Sequence, residues 1–128
     1  MKIDPILEKD SIFITDLKLS QVRMIPDGEN PWFILVPRKL DIIEWIDLSI
    51  EDQYILTEEI SLISEVLKKN TRPDKINVAS LGNQVPQLHV HVIARFKRDR
   101  AWPNAIWGTK SSKDFNPDSI EFWKESLK

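Results

Sequence analysis

Both histidines of the chain stand two residues apart, at His89 and His91. They lie in the run Gln87-Leu88-His89-Val90-His91-Val92-Ile93-Ala94-Arg95-Phe96, whose alternation with a period of two reads as a β-strand. Leu88, Val90, Val92, Ala94 and Phe96 share one face, which is wholly apolar and belongs to the core. Gln87, His89, His91, Ile93 and Arg95 share the other. A lone histidine is most often a satisfied core residue, but here the core face is already filled and the histidines point away from it. Two neutral imidazoles on one strand face suit chemistry on an anion or a metal site.

A neutral imidazole with one nitrogen free is a competent nucleophile near neutral pH, since its ordinary pKa is about 6.5. Attack on phosphorus gives a phosphorylated or nucleotidylated histidine that water can resolve. Charge grows on the non-bridging oxygens during attack, so donors must already be aimed at them. His91 can be one donor. Gln84 and the backbone N–H groups of the turn Gly82-Asn83-Gln84 can be others, and Gly82 lets the backbone come close to a phosphate. Metal binding is the competing reading. His-x-His supplies two ligands, but there is no cysteine, no third histidine, and no acid on the strand or in the turn before it. No metal or cofactor is therefore expected. Arg95, Lys97, Arg98 and Arg100, with Phe96 and Trp102, have the composition of a nucleic-acid patch. With Asp99 among them, a solvated strand exit is the preferred reading, and no nucleic-acid partner is expected.

Several elements must position this strand. Asp4-Pro5 reads as an N-cap and N1 proline opening a short helix through about Lys9. Ser11 to Thr15 reads as a short strand, and Leu19 to Ile25 as another, with Val22 and Met24 opposite Gln21 and Arg23. The turn Pro26-Asp27-Gly28-Glu29-Asn30-Pro31 leads into Trp32-Phe33-Ile34-Leu35-Val36, a continuous apolar run expected of a central strand that Pro37 ends. Asp41 to Leu48 suggests one helical turn. Ser49, with Asp52 three residues on, caps a helix from about Ile50 to Lys69, whose buried stripe is Leu56, Ile60, Ile63 and Leu67. Lys75 to Leu81 reads as a strand pairing antiparallel with the histidine strand across the turn Gly82 to Pro86. Asn116-Pro117-Asp118 opens a last helix with Ile120, Trp123 and Leu127 buried. These elements predict an α+β domain with an antiparallel sheet of about five strands, one long helix and a C-terminal helix.

The 128 residues suit a single domain, 1–128, with one core, and 41% hydrophobic with 30% charged residues is an ordinary globular balance. A net charge of −2 gives no global drive toward nucleic acid or anionic membrane. The N-terminus lacks the apolar region of a signal peptide, and no stretch approaches a membrane span, so a cytoplasmic protein is expected.

Gln87-Leu88-His89-Val90-His91-Val92-Ile93 resembles the histidine-triad (HIT) signature, in which three histidines alternate with apolar residues. Gln87 stands at the first histidine position. Gly82-Asn83-Gln84-Val85 resembles the family's glycine and polar pair at the scissile phosphate, and Asn77 the asparagine on the preceding strand. Asn30 to Arg38 resembles the nucleoside-side strand, and Arg95…Trp102-Pro103…Trp107-Gly108 a bacterial diadenosine-polyphosphate hydrolase-like branch. Order and spacing agree from about Leu19 to Gly108, most specifically from Asn77 to Arg95.

The resemblance implies a HIT-like fold and a nucleotide hydrolase or nucleotidyltransferase acting at the α-phosphate through a nucleotidyl-histidine. It makes His89 the nucleophile and has His91 assist at the phosphate. Gly82, Asn83, Gln84, Gln87, Asn77 and, near the ribose, Asn30 are then the nucleotide-binding residues. It also implies a homodimer, and five tryptophans in so short a chain offer more aromatic surface than one small core easily takes. Two departures stand out. The first triad position is Gln87, and Leu40 follows Pro37-Arg38-Lys39 where many members have a further histidine. A catalytically weak nucleotide-binding module is the runner-up reading, and a His-x-His metal-binding protein the third.

Overall fold

The computed structural model describes residues 2–128. A helix, α1 (Pro5–Asp10), precedes strands β1 (Ile12–Asp16), β2 (Ser20–Met24) and β3 (Trp32–Pro37). A 3-10 turn (Trp45–Asp47) leads into the long helix α2 (Ile50–Thr71). Strands β4 (Lys75–Ala79) and β5 (Val90–Arg95) and helix α3 (Ser119–Ser126) complete the order. The strands form one sheet in the order β1-β2-β3-β5-β4, and every neighbouring pair is antiparallel.

The helix boundaries follow from their caps. The Asp4 carboxylate accepts the Ile6 N–H at 2.9 Å, and Pro5 occupies a position whose N–H would have no helical partner. The Ser49 hydroxyl accepts the Asp52 N–H at 3.1 Å and starts α2. Arg72, in the left-handed conformation at φ +50°, ends it. Of the expected α2 stripe, Leu56, Ile63 and Leu67 are fully buried and Ile60 packs at the edge. One buried residue of α2 is a surprise. The Glu59 carboxylate accepts the N–H groups of Leu19 and Ser20 at 2.8 and 3.1 Å, tying the helix to the turn between β1 and β2.

Helices α2 and α3 cover one face of the sheet. There Val22, Met24, Phe33, Leu35, Val90, Val92, Ala94 and Trp123 join the α2 stripe in the main core. The expected core face of the histidine strand lies here, Leu88 and Phe96 included. The opposite face is covered as well. Trp32, Ile34, Val36 and Ile93 form a second apolar layer with Leu7 of α1, Val85, Ala101 and Ile106. The strand also begins at Val90, three residues later than its alternation implied. Continuing the register in which Leu35 opposes Val90 sets Leu88 opposite Pro37, which has no N–H to give the ladder. The Leu88 N–H donates instead to the Ile42 carbonyl at 2.9 Å.

Two further expectations are corrected. The basic run is a solvated exit only in part: Lys97 and Arg98 are exposed, but Arg95 and Arg100 are not free. Arg95 is 2% exposed and donates to Asp99, to the Asn77 side chain and to the Asn104 carbonyl. Arg100 is paired with Asp27 at 2.7 Å and with Glu29 at 3.5 Å. Burial alone would push the Asp99 carboxyl up. Hydrogen bonds from Arg95, the Phe96 N–H, Asn30 and the Ala101 N–H outweigh it and hold the group well below the ordinary carboxylate range. The tryptophans are accommodated within the chain more fully than their number suggested, though Trp45, Trp102 and Trp107 stay half-buried. Trp32 and Trp123 are buried, Trp45 and Trp107 pack against the two cores, and Trp102 lies beneath the Arg95 guanidinium.

Candidate active site

His89 sits one residue before β5 and His91 is its second residue, so both side chains enter the layer between the sheet and its second cover. Each keeps 6% of its surface, and the two ring centroids are 5.0 Å apart. Their hydrogen bonds fix opposite protonation patterns. Nδ1 of His89 lies 2.8 Å from the Gln87 carbonyl oxygen. A carbonyl only accepts, so Nδ1 carries the proton and Nε2 keeps a free lone pair. Nδ1 of His91 receives the Trp32 indole N–H at 2.9 Å. An indole only donates, so this nitrogen is the acceptor, and the neutral ring carries its proton on Nε2. Burial, and then the neighbouring His89, push the pKa of His91 down to about 4, so it is neutral at physiological pH. One ring thus offers a nucleophilic nitrogen and the other a hydrogen-bond donor.

Aromatic packing sets the angle of His91. The Trp107 ring meets it edge to face at 5.0 Å and meets Trp32 in the same manner at 5.6 Å. Trp107 sits on the segment after β5, which the Arg95–Asp99 and Arg100–Asp27 pairs fasten down. Gly28 adds a third fastening, since a Cβ there would lie 2.1 Å from the Lys113 carbonyl oxygen. Neither Trp32 nor Trp107 was among the sequence candidates. Trp32 read as core and Trp107 as loop, and only the register of β3 against β5 brings them to the histidines.

The remaining candidates fall into two groups. Gly82, Asn83 and Gln84 form the turn between β4 and β5, with Gly82 at φ +71°, in the region that favours glycine. Asn83 and Gln84 are exposed, while Val85 anchors the turn in the apolar layer beside Ile34 and Val36. Asn77 opposes Ile93 on the histidine face, but its side-chain oxygen accepts from Arg95 at 2.8 Å. Asn30 is fully buried. Its amide donates to the Ala94 carbonyl and to Asp99, both at 2.9 Å, so that amide is engaged by the protein itself. Its position braces the loop into β3. Among the described residues, no group of three or more acids and histidines could hold a metal ion. No helix among them is long and apolar enough to cross a membrane.

The HIT domain matches residues 7–98 of the chain. The chain belongs to the HIT family. Its fold is closely similar to that of a histidine triad protein from Bradyrhizobium japonicum, at 44% identity and a TM-score of 0.92, covering 98% of this chain and 94% of that one. A histidine triad protein from Sinorhizobium meliloti gives 41% identity and a TM-score of 0.91, covering 98% and 93%. One from Marinobacter aquaeolei gives 36% and 0.90, covering 99% and 93%. A bis(5'-adenosyl)-triphosphatase of Saccharomyces cerevisiae is 30% identical over 69 residues. That match takes in 50% of this chain and 34% of the yeast protein, so the chain spans about a third of that relative's length.

In this HIT protein the first triad position faces the N-terminal segment. The Gln87 side-chain oxygen accepts the Asp4 N–H at 2.7 Å, and its amide nitrogen donates to the Lys2 carbonyl at 3.1 Å. Its own backbone carbonyl meanwhile holds His89. Residue 87 therefore orients the neighbouring imidazole through an atom that every amino acid has. Leu40 is 74% exposed, and with Gln87, Ile3, Pro5 and Ile42 it lines a cleft of about 750 Å³. The two departures from the family pattern thus border one space, which neither histidine lines.

Proposed function

We propose that this HIT protein is a cytoplasmic nucleotide hydrolase or nucleotidyltransferase. It acts at the α-phosphate of a nucleoside phosphoramidate or dinucleoside polyphosphate, through a nucleotidyl-histidine at His89. The observation that carries the reading is the opposed protonation of the two rings, a free Nε2 on His89 beside an Nε2–H on His91. The Nε2 lone pair forms a bond to phosphorus as the bond to the leaving group breaks, and the leaving group departs with that bonding pair. His91 donates a hydrogen bond to the oxygen on which charge develops. Water then attacks phosphorus, the P–N pair returns to Nε2, and the surplus proton passes to solvent. The yeast relative's name, the family and the turn at Gly82, with Asn83 and Gln84 exposed, all support a nucleotide with a substituted phosphate as substrate.

The same reading makes the protein a homodimer. β4 is an edge strand that leaves Val78 48% exposed and Leu81, just beyond it, 50% exposed, an apolar edge that a second copy would cover. Sedimentation at micromolar concentration tests this, and a monomer refutes it.

Turnover is tested with substrate labelled at the α-phosphate and denatured without acid. Label should remain on the wild-type protein and be absent from His89→Ala, whose turnover should fall by several orders of magnitude. Retention of more than about a tenth of turnover in that variant refutes the nucleophile assignment. Nucleotide binding without turnover in the wild type would instead identify a binding module, the reading that the altered first triad position favours.

A further inference from the structure

We propose that Trp32 is a positioning residue for this reaction, its indole N–H fixing His91 as the tautomer that presents Nε2–H, and not a lone pair, to the substrate phosphate. The inference rests on the hydrolase reading for its purpose, but its geometry stands apart from it. Trp32 opposes Ile93 and Ile34 opposes His91, so Trp32 is the diagonal neighbour of His91, within reach of a long side chain. The two meet at 2.9 Å, both almost fully buried, where water does not compete for Nδ1.

An isolated neutral imidazole exchanges its proton between two nitrogens, and only one of the two forms can donate from Nε2. A donor locked onto Nδ1 removes the other form. It also resists protonation at Nδ1, because an imidazolium would set two N–H groups against each other. Among the described residues, those packed on His91 carry no fixed charge. β3 supplies Trp32 and Ile34, β4 supplies Ala79 opposite His91, and the segment after β5 supplies Trp107. His89 is the titratable neighbour, and its Nδ1 proton is turned toward the Gln87 carbonyl. Trp107 adds a geometric restraint, since its edge-to-face contacts with both rings oppose rotation of the imidazole.

Trp32 could instead be mere filling, and a phenylalanine would fill much of the same space. The N–H separates the two roles. The test is ¹⁵N spectroscopy of the imidazole rings in the wild type and in Trp32→Phe, with kcat and KM measured on a dinucleoside polyphosphate. Wild-type His91 should show the Nε2–H pattern from pH 5 to 8, with scalar coupling from the Trp32 indole nitrogen across the hydrogen bond. Trp32→Phe should show mixed tautomers and titrate at least one pH unit higher. Its kcat should fall about tenfold or more with KM nearly unchanged, because the lost donor acts in the transition state. A wild-type His91 protonated on Nδ1, or one without the coupling, overturns the proposal even if the variant does not fold. So does a folded variant with unchanged tautomer and titration. Absence of turnover in the wild type refutes the hydrolase reading alone, because the spectra are read on the resting protein.

Discussion

The two faces of the sheet are closed by different means. On one face, α2 and α3 lay regular apolar stripes across β2, β3 and β5, and the contact is hydrocarbon against hydrocarbon. On the other, a six-residue helix and irregular segments do the covering, and polar side chains are built into the layer. Helical cover holds its place chiefly by apolar packing, with the Glu59 carboxylate as an added tie to the β1–β2 turn. Loop cover depends on side-chain hydrogen bonds, and the Arg95–Asp99 and Arg100–Asp27 pairs supply them. The histidines lie on the loop-covered face. A site that must bind a polar ligand is more easily formed there, where N–H groups and turn backbones already border the layer.

Asp99→Ala should show the largest effect on stability. It leaves the Arg95 guanidinium buried and unpaired, at a cost of about 3–5 kcal/mol by urea unfolding. If the loop-covered face depends on this pair, the Trp107 contact with His91 should loosen as well, with a fall in turnover at temperatures where the variant is still folded. Leu56→Ala tests the other face. It should cost about 2–5 kcal/mol through a cavity in the main core and leave kcat within about twofold. A comparable loss of turnover in this variant would mean that the two faces are not separable.

Acid should weaken the site face through His91. Its pKa is about 4 in the folded chain, against an ordinary 6.5. Between these values the unfolded chain binds more protons, so stability is complete above about pH 6.5 and declines as pH falls toward 4. The total is on the order of 3 kcal/mol, and a urea midpoint series from pH 7 to 4 measures it. Trp32→Phe should flatten this part of the profile, while Leu56→Ala should shift it bodily without changing its slope.

The smallest effect expected is on catalysis by Gln87→His. The Gln87 carbonyl already orients His89, and an imidazole at 87 cannot reproduce both contacts to the Lys2 and Asp4 backbone. The gain in kcat should stay below about tenfold, or 1.4 kcal/mol of barrier. A larger gain would show that the wild-type site is impaired at this position, and the binding-module reading would replace the enzyme.

Much of this was legible in the sequence because it is local. Period-two alternation placed the histidines on one face, and caps such as Asp4 and Ser49 located the helix starts. A carbonyl near residue 87 was foreseeable as the partner of His89, since the backbone is there whatever the side chain. The partner of His91 was not, because it depends on how β3 slides against β5, and a wholly apolar run carries no mark of its register. The same non-locality concealed the fate of Asn30, Arg95 and Arg100. Each reads as polar and exposed until a partner distant in sequence is brought beside it. Asn30 and Asp99 are 69 positions apart, and Arg100 and Asp27 are 73 apart. Composition also misled. Five tryptophans suggested surface left over for an interface, whereas Trp32 and Trp123 are buried in the chain and Trp45, Trp102 and Trp107 are half-buried.

The Glu59 carboxylate gives the helical face its own clock. Leu19 and Ser20 lie at a tight turn, where backbone amides ordinarily exchange their hydrogens with solvent within moments. Here both N–H groups are held by a side chain from the middle of α2. Their protection should be lost when the helix lifts from the sheet, so their exchange rate should report on that undocking, separately from the unravelling of the helix itself.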